Sequence, residues 1–312
     1  MNNDLEECHR ESPRFQPGKD HAASELQNFE EIARFLRPSP GAIPQLKGLD
    51  IHGLSLPLRR GIGGDHILYV DFNQRFDLDE RIRDAERDGL QKVARKLRRN
   101  RNRAGILVAD ISGHRMTDAL IAAMLHQAFL LGCYYELEMF GEITTKIFEH
   151  INERFYRTSS INKYFTMIYG EISTRGRFRF LSAGHPPPAV FSREYDRFMP
   201  IEKNRKVSSI PVGMLPSGGD PDERRHPSMH GRKKLYEVNE IDLLSGGDIL
   251  LLYTDGLSEH GGKNYFPDEL QRLLAAHKDR TAKEICERMR ESLLERAPQQ
   301  DDVSVVVVKY LP

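Results

Sequence analysis

Ile249-Leu250-Leu251-Leu252-Tyr253-Thr254-Asp255-Gly256 is the stretch from which the rest of the chain is best read. Its apolar run is short, aliphatic and too apolar for a surface, so it reads as a buried strand. It opens onto an aspartate, and an ionised carboxylate at the mouth of a buried strand is costly unless positive charge meets it. The same arrangement recurs elsewhere. Asp110 follows Ile106-Leu107-Val108-Ala109, Asp65 follows Gly63-Gly64, and Asp301 heads the run Asp302-Val303-Ser304-Val305-Val306-Val307-Val308. Each piece alone is ordinary, since Asp-Gly is among the commonest turn dipeptides. Together they fall in order on separate predicted strands, with no matching cluster of Lys or Arg inside the motifs. That combination points to metal ions. Because every candidate ligand is oxygen, the metal is expected to be hard, Mg²⁺ or Mn²⁺ rather than zinc or copper.

Working outward, further strands are expected near 49–56, 66–72, 163–173, 177–183, 188–193 and 234–239. Helices are expected over 115–134, 138–156, 267–277 and 281–295. Blocks of strands with helices inserted between them, rather than strict alternation, argue for an α+β fold. Residues 1–23 are polar and read as a disordered tail. In 24–36, Leu26, Phe29, Ile32, Ala33 and Leu36 share one helical face, Ser24 is a candidate N-cap, and Pro38 and Pro40 end the helix. Residues 24–40 are therefore taken as a helix and linker, and 41–312 as the main domain.

The 312 residues carry 46 Lys and Arg against 46 Asp and Glu. A formal net charge of zero gives no bulk electrostatic reason to expect nucleic acid or a membrane as partner. Cys8, Cys133 and Cys286 are scattered and odd in number, which argues against a disulfide framework and for a cytoplasmic location. The N-terminus lacks the apolar core of a secretory signal, and no run approaches the 18 or more apolar residues of a membrane span.

Several motifs, taken in order, carry a family resemblance. They are Gly63-Gly64-Asp65, Ala109-Asp110-Ile111-Ser112-Gly113-His114, Ser182-Ala183-Gly184-His185-Pro186-Pro187-Pro188, Ile210–Pro216, Tyr253-Thr254-Asp255-Gly256 and Gln300–Val308. In this order the chain resembles the stage II sporulation protein E-like bacterial serine/threonine phosphatases, relatives of the type 2C metal-dependent phosphatases, over about residues 30 to 312. The resemblance implies two packed central sheets with helices on both outer faces. It implies two Mn²⁺ or Mg²⁺ ions held by Asp65, Asp110, Asp255, Asp301 and the backbone carbonyl of Ile111, and a water activated by those ions as nucleophile. Asp301 rather than Asp302 matches the ligand position, with Asp302 in support. Arg60 matches an arginine that would contact substrate phosphate. The implied substrate is a phosphoserine or phosphothreonine protein, an anti-sigma-factor antagonist in a partner-switching pathway. Two departures stand out: Leu68 replaces a frequent second aspartate, the next acid being Asp71, and Arg115 replaces a glycine.

Two other activities fit the same residues: a docking module that keeps the fold without catalysis, and a small-molecule phosphatase. Ser112, Ser258 and Ser304 read as structural, because no base adjoins them. His185, between glycine and proline, reads as fixing a turn rather than as a general acid. Two segments look inserted. Residues 76–103 begin acidic and end basic, with Ile82, Leu90, Val93 and Leu97 at helical spacing. They read as a solvated helix or as an arm, with Arg98, Arg99 and Arg101, for an acidic partner. Residues 217–233 read as a mobile loop in which His226 and His230 are surface residues. With no sensor domain evident, the apolar face of 24–36 is expected to form a homodimer.

Overall fold

In the computed structural model the described residues are 24, 27–28, 31, 42–58, 63–111, 116–158, 163–219, 228, 230–243 and 245–311. The tail 1–23 and Leu26, Phe29, Ile32 and Leu36 of the expected N-terminal helix lie outside them.

The strands are β1 (Leu49–Leu56), β2 (His66–Asp71), β3 (Arg103–Ile111), β4 (Phe165–Ser173), β5 (Arg177–Ala183), β6 (Ala189–Ser192), β7 (Arg197–Met199), β8 (Asn239–Asp242), β9 (Ile249–Tyr253) and β10 (Val303–Tyr310). The helices are α1 (Phe72–Arg75), α2 (Leu78–Arg87), α3 (Gln91–Asn100), α4 (Met116–Phe140), α5 (Thr145–Thr158), α6 (Asp255–Lys263), α7 (Leu270–His277) and α8 (Ala282–Arg296). The strands form two five-stranded sheets in the orders β1-β10-β9-β6-β7 and β2-β3-β4-β5-β8, with antiparallel pairing throughout.

Side chains alternate across each strand, so each sheet has two faces to bury. Ile106 and Val108 point with Ile168, Leu250, Leu252, Val306 and Val308 into the core between the sheets. Leu107 and Ala109 point the other way, into a second core with Leu125, Phe129 and Phe148 of α4 and α5. Leu251, Val305 and Val307 face a third core with Leu274, Ile285 and Met289 of α7 and α8. The result is four layers, helix–sheet–sheet–helix, as expected. Strands buried on both faces explain why β9 and β10 read as continuous apolar runs rather than alternating ones. Each such side chain removed from water contributes roughly 1.5–3 kcal/mol.

Residues 76–103 depart from the single solvated helix expected. Gly89, at φ +73°, breaks them into the hairpin α2–α3. Ile82, Ala85, Ala94 and Leu97 are buried in the helix-side core, whereas Leu90 at the break is 48 % exposed. Asn100 Nδ2 donates to Gly141 O at 3.0 Å, tying the hairpin to the end of α4. The segment belongs to the outer layer. Asp71 caps α1 through its side chain, accepting from Asn73 N and Gln74 N. It sits at the end of β2 away from Asp65 and does not replace the aspartate missing at Leu68, which is itself buried against the helices.

The ends of the 217–233 segment are pinned rather than loose. Ser217 and Lys233 form a bridge, and Lys233 Nζ reaches Glu149 of α5 at 2.7 Å. Asn152 donates to Leu215 O and accepts from Gly213 N. His230 is exposed, while His226 lies outside the described residues. Cys133 and Cys286 are buried free thiols. One helix is long and apolar enough to cross a membrane by composition, Asp118–Phe140, contrary to the expectation that no stretch approaches that limit. Its inner face, with Leu125, Phe129, Cys133 and Leu137, is buried against the sheet.

Candidate active site

Antiparallel pairing gathers the aspartates. His66 lies opposite Ala109, so Asp65, just before β2, falls beside Asp110 near the end of β3. In the other sheet Tyr253 lies opposite Val305, so the end of β9 and the start of β10 share an edge. Asp255, the first residue of α6, and Asp301, just before β10, therefore meet there. The two edges adjoin: burial raises the pKa of Asp110 first, followed by the charges of Asp255, Asp301 and Asp302. Asp65 is raised well above the usual carboxylate range by burial first and then by Asp110. Asp255 is raised by burial and then by Glu259, and its side chain is within hydrogen-bonding reach of Asp110. Among the described residues no lysine or arginine figures in the leading influences on these three carboxylates.

The surrounding residues explain how the chain holds this arrangement. Asp302 is 3 % exposed, and its Oδ1 accepts from Leu58 N at 2.7 Å and its Oδ2 from Gly64 N at 2.5 Å. It clamps the segment that delivers Asp65. A Cβ on Gly63 would lie 2.7 Å from Asp302 Oδ2, and one on Gly256 would lie 1.9 Å from the Asp302 carbonyl oxygen. Only glycine fits at either place. Asp301 is more exposed than Asp302, and its Oδ1 accepts from the Asp302 amide at 2.6 Å. Asp302 thus accepts from two amides of the segment before β2, and Asp301 from the amide of its own neighbour.

Thr254 is the residue that sequence reasoning overlooked. Fully buried, it donates from Oγ1 to Asp65 Oδ2 at 2.7 Å and accepts from Ser304 N at 3.0 Å. One hydroxyl joins a residue of one sheet edge to the other. Its place between Tyr253 and Asp255 was the available signal. Ser304 pairs its Oγ with Ser55 Oγ, and Ser258 Oγ donates to Asp255 O. The Ser304 side chain also hydrogen-bonds Asp65. His185 Nδ1 pairs with Thr166 Oγ1 at 2.8 Å, and burial lowers its pKa to about 3. A histidine held neutral in this way fixes the turn and does not donate a proton near pH 7. His66 is likewise kept neutral by burial, bonded to His126 of α4 at 3.0 Å. Ile111 ends β3, its carbonyl at the same edge as Asp110. Arg60, Ser112, Gly113 and Arg115 lie outside the described residues.

Among the described residues no three His, Cys, Asp or Glu side chains already form a closed metal-holding group. The chemistry of the cluster nonetheless fits hard divalent cations. Its donors are oxygens, and its carboxylates raise one another's pKa, so in the absence of a cation protons must supply the neutralising charge.

A two-sheet phosphatase-like fold with an aspartate cluster at one edge defines the class, and the comparisons with known proteins agree. The family model described as "Stage II sporulation protein E (SpoIIE)" matches residues 100–311, and the chain belongs to that family. Phosphoserine phosphatase RsbP of Bacillus subtilis (strain 168) is 26 % identical over 193 residues, covering 62 % of this chain and 41 % of RsbP. The solved RsbU and RsbW domains of Rv1364c from Mycobacterium tuberculosis superpose with a TM-score of 0.58 at 22 % identity, covering 88 % of this chain and 64 % of that one. The SiaA-PP2C domain of Pseudomonas aeruginosa gives a TM-score of 0.64 at 15 % identity, covering 95 % of this chain and 100 % of the domain. RsbX, solved in complex with magnesium, gives 0.51 at 15 % identity, covering 86 % and 98 %. The chain thus spans less than two thirds of RsbP and of the Rv1364c chain.

Proposed function

We propose that this protein is a divalent-metal-dependent phosphatase that hydrolyses phosphoserine or phosphothreonine in a protein substrate. The observation that carries this reading is the convergence of Asp65, Asp110, Asp255 and Asp301 from two sheets onto one edge, where burial and neighbouring carboxylates raise the pKa values of Asp65, Asp110 and Asp255. Asp65, Asp110, Asp255, Asp301 and the Ile111 carbonyl would hold Mn²⁺ or Mg²⁺. When bound, such ions supply positive charge toward phosphoryl oxygens and make water more acidic. The chain's own part is to hold the oxygens rigidly. Thr254 keeps Asp65 in one orientation, and Asp302 fixes the turn that carries it. Arg60 is the candidate contact to substrate phosphate, since a guanidinium suits paired phosphate oxygens.

The protein substrate is assigned by kinship. RsbP is named a phosphoserine phosphatase, and the Rv1364c structure joins an RsbU domain to an RsbW domain. We take the substrate to be a phosphorylated anti-sigma-factor antagonist in a partner-switching pathway, met in the cytoplasm. The homodimer through residues 24–36 belongs to the same proposal, and light scattering of the chain before and after Phe29→Asp with Ile32→Asp tests it. The activity is tested by hydrolysis of an aryl phosphate with and without Mn²⁺, in the wild type and in Asp255→Asn. Turnover that needs Mn²⁺ and falls at least about 100-fold in the variant supports the proposal. No turnover by the wild type with Mn²⁺ would leave a docking module, and equal turnover in both proteins would remove Asp255 from the catalytic site.

A further inference from the structure

The end of β3 away from Asp110 carries a second concentration of charge, of opposite sign. A cleft of about 440 Å³ is lined by Arg99 and Asn102 at the end of α3, Arg103 at the start of β3, Ser173, Thr174 and Arg175 of the β4–β5 turn, and Arg177 and Asp242. Antiparallel pairing of β3, β4 and β5 brings these together, with Arg103 opposite Ser173 and Arg177 opposite Asp242.

The four arginines divide into two kinds. Arg103 is anchored by Nη1 to Glu171 at 3.2 Å, and Arg177 by Nε to Asp242 at 3.1 Å and to Glu240 at 3.5 Å. A guanidinium has five N–H donors, so each anchor leaves donors over and fixes the plane of the group. Arg99 and Arg175 are exposed and make no ion pair among the described residues. In the α2–α3 hairpin, by contrast, Arg98 pairs with Glu86 and Arg101 with Asp79. Arg98 and Arg101 are therefore neutralised within the hairpin, and Arg99 lines the cleft.

We propose that this cleft binds a small molecule bearing a diphosphate or similar clustered phosphate oxygens. Two anchored and two unpaired guanidinium forks around one concavity match a multiply charged oxyanion, which takes paired N–H donors. The volume suits a diphosphate with a modest organic part. Arg103 and Asp110 lie near opposite ends of one strand, roughly 23 Å apart at ~3.3 Å per residue. The occupant therefore cannot be the phosphoryl group under attack, and the site is separate from the aspartate cluster.

The test is calorimetric titration of the full chain with inorganic pyrophosphate and, in a parallel arm, with a nucleoside diphosphate. Saturable binding is expected, weakened at least about 10-fold in Arg99→Ala/Arg175→Ala and unchanged in Arg290→Ala on α8. The Arg99→Lys/Arg175→Lys variant keeps the charge without the fork and should fall between. Because both positions are exposed, unchanged melting and aryl phosphate hydrolysis will show that the variants are folded. Tighter binding of the nucleotide identifies an organic part; equal binding identifies the diphosphate alone. Undiminished pyrophosphate binding in the double alanine variant overturns the proposal. So does binding that Asp255→Asn abolishes instead, or a preference for a glutamate-rich peptide over both phosphates. The readout is binding, so it stands or falls independently of the phosphatase reading.

Discussion

The two ends of β3 solve the problem of charge beside a core in opposite ways. At one end Glu171 is met by Arg103 at 3.2 Å and by the Tyr169 hydroxyl at 3.2 Å. Burial still holds its pKa above the ordinary value, but the charge has a partner within the protein. At the other end Asp110 meets other carboxylates, and its pKa is raised by burial and by repulsion together. At the first end the buried carboxylate is neutralised from within the chain. At the second end no cationic side chain among the described residues plays that part, and a proton or a divalent cation can supply the missing charge.

The strongest way to break this comparison is to remove one of the unmatched carboxylates. Asp110→Asn should lower kcat at least about 100-fold yet leave the metal-free protein folded, because a repulsive charge has gone. The sign follows from the shifts. Asp65, Asp110 and Asp255 have folded-state pKa values above their unfolded ones, so the folded state binds more protons there. Without metal, their contribution to stability is full below the unfolded carboxylate pKa near 4 and declines as pH rises through the raised folded values. His66 and His185, depressed by burial, act in the opposite sense below about pH 6.5. The informative quantity is therefore the difference in Tm between wild type and Asp110→Asn in chelator. It should favour the variant increasingly from pH 4 upward and shrink when Mn²⁺ is added. A constant difference across pH would show that Asp110 is not electrostatically strained.

A somewhat smaller effect is expected at the clamp. Asp302→Ala leaves the amides of Leu58 and Gly64 without their acceptor, which costs roughly 1–3 kcal/mol for each buried donor left unsatisfied. Denaturant unfolding should show that loss, accompanied by weaker Mn²⁺ activation. Stability at the wild-type level would mean that the Gly63-Gly64-Asp65 turn is held by something else. Next is Thr254→Val, which keeps the shape and removes the donor to Asp65. A 10-fold or greater rise in the Mn²⁺ concentration for half-maximal activity is expected, since partners that orient a ligand typically contribute 10–100-fold. The smallest effect belongs to the hairpin. Arg101→Glu breaks a pair between half-exposed side chains and should change unfolding free energy by no more than about 1 kcal/mol. It should leave aryl phosphate hydrolysis intact, separating the paired arginines from the cleft-lining Arg99.

Much of the fold was legible because burial on both sheet faces leaves a plain trace: aliphatic runs at 106–109, 249–253 and 303–308, each with an aspartate within two residues of one end. Boundaries were less legible. The helix expected over 115–134 continues to Phe140, and the strand expected near 234–239 is β8 at Asn239–Asp242. The turn expected after Asp255 is the start of α6. The stripe Ile82, Leu90, Val93, Leu97 reads as one helix only when Gly89 is ignored. At φ +73° that glycine turns the chain back, so Ile82 and Leu97 face the core from different helices.

The sequence by itself determined most of the strands and singled out the acidic residues, because strand period, apolar content and a carboxylate beside a buried run are local properties; the layer arrangement came from the family resemblance. Tertiary structure alone decided what each acid meets. Thr254 reaches Asp65 across 189 residues, and Asp302 reaches Gly64 across 238. Those pairings make Asp302 the clamp. The same holds at the far end of β3, where Arg99, Arg103, Arg175 and Arg177 line one cleft only because three strands and a helix hairpin end together. Hydrogen bonds and charges act over a few ångströms, and the chain separation that precedes such contacts leaves no periodic mark in the sequence.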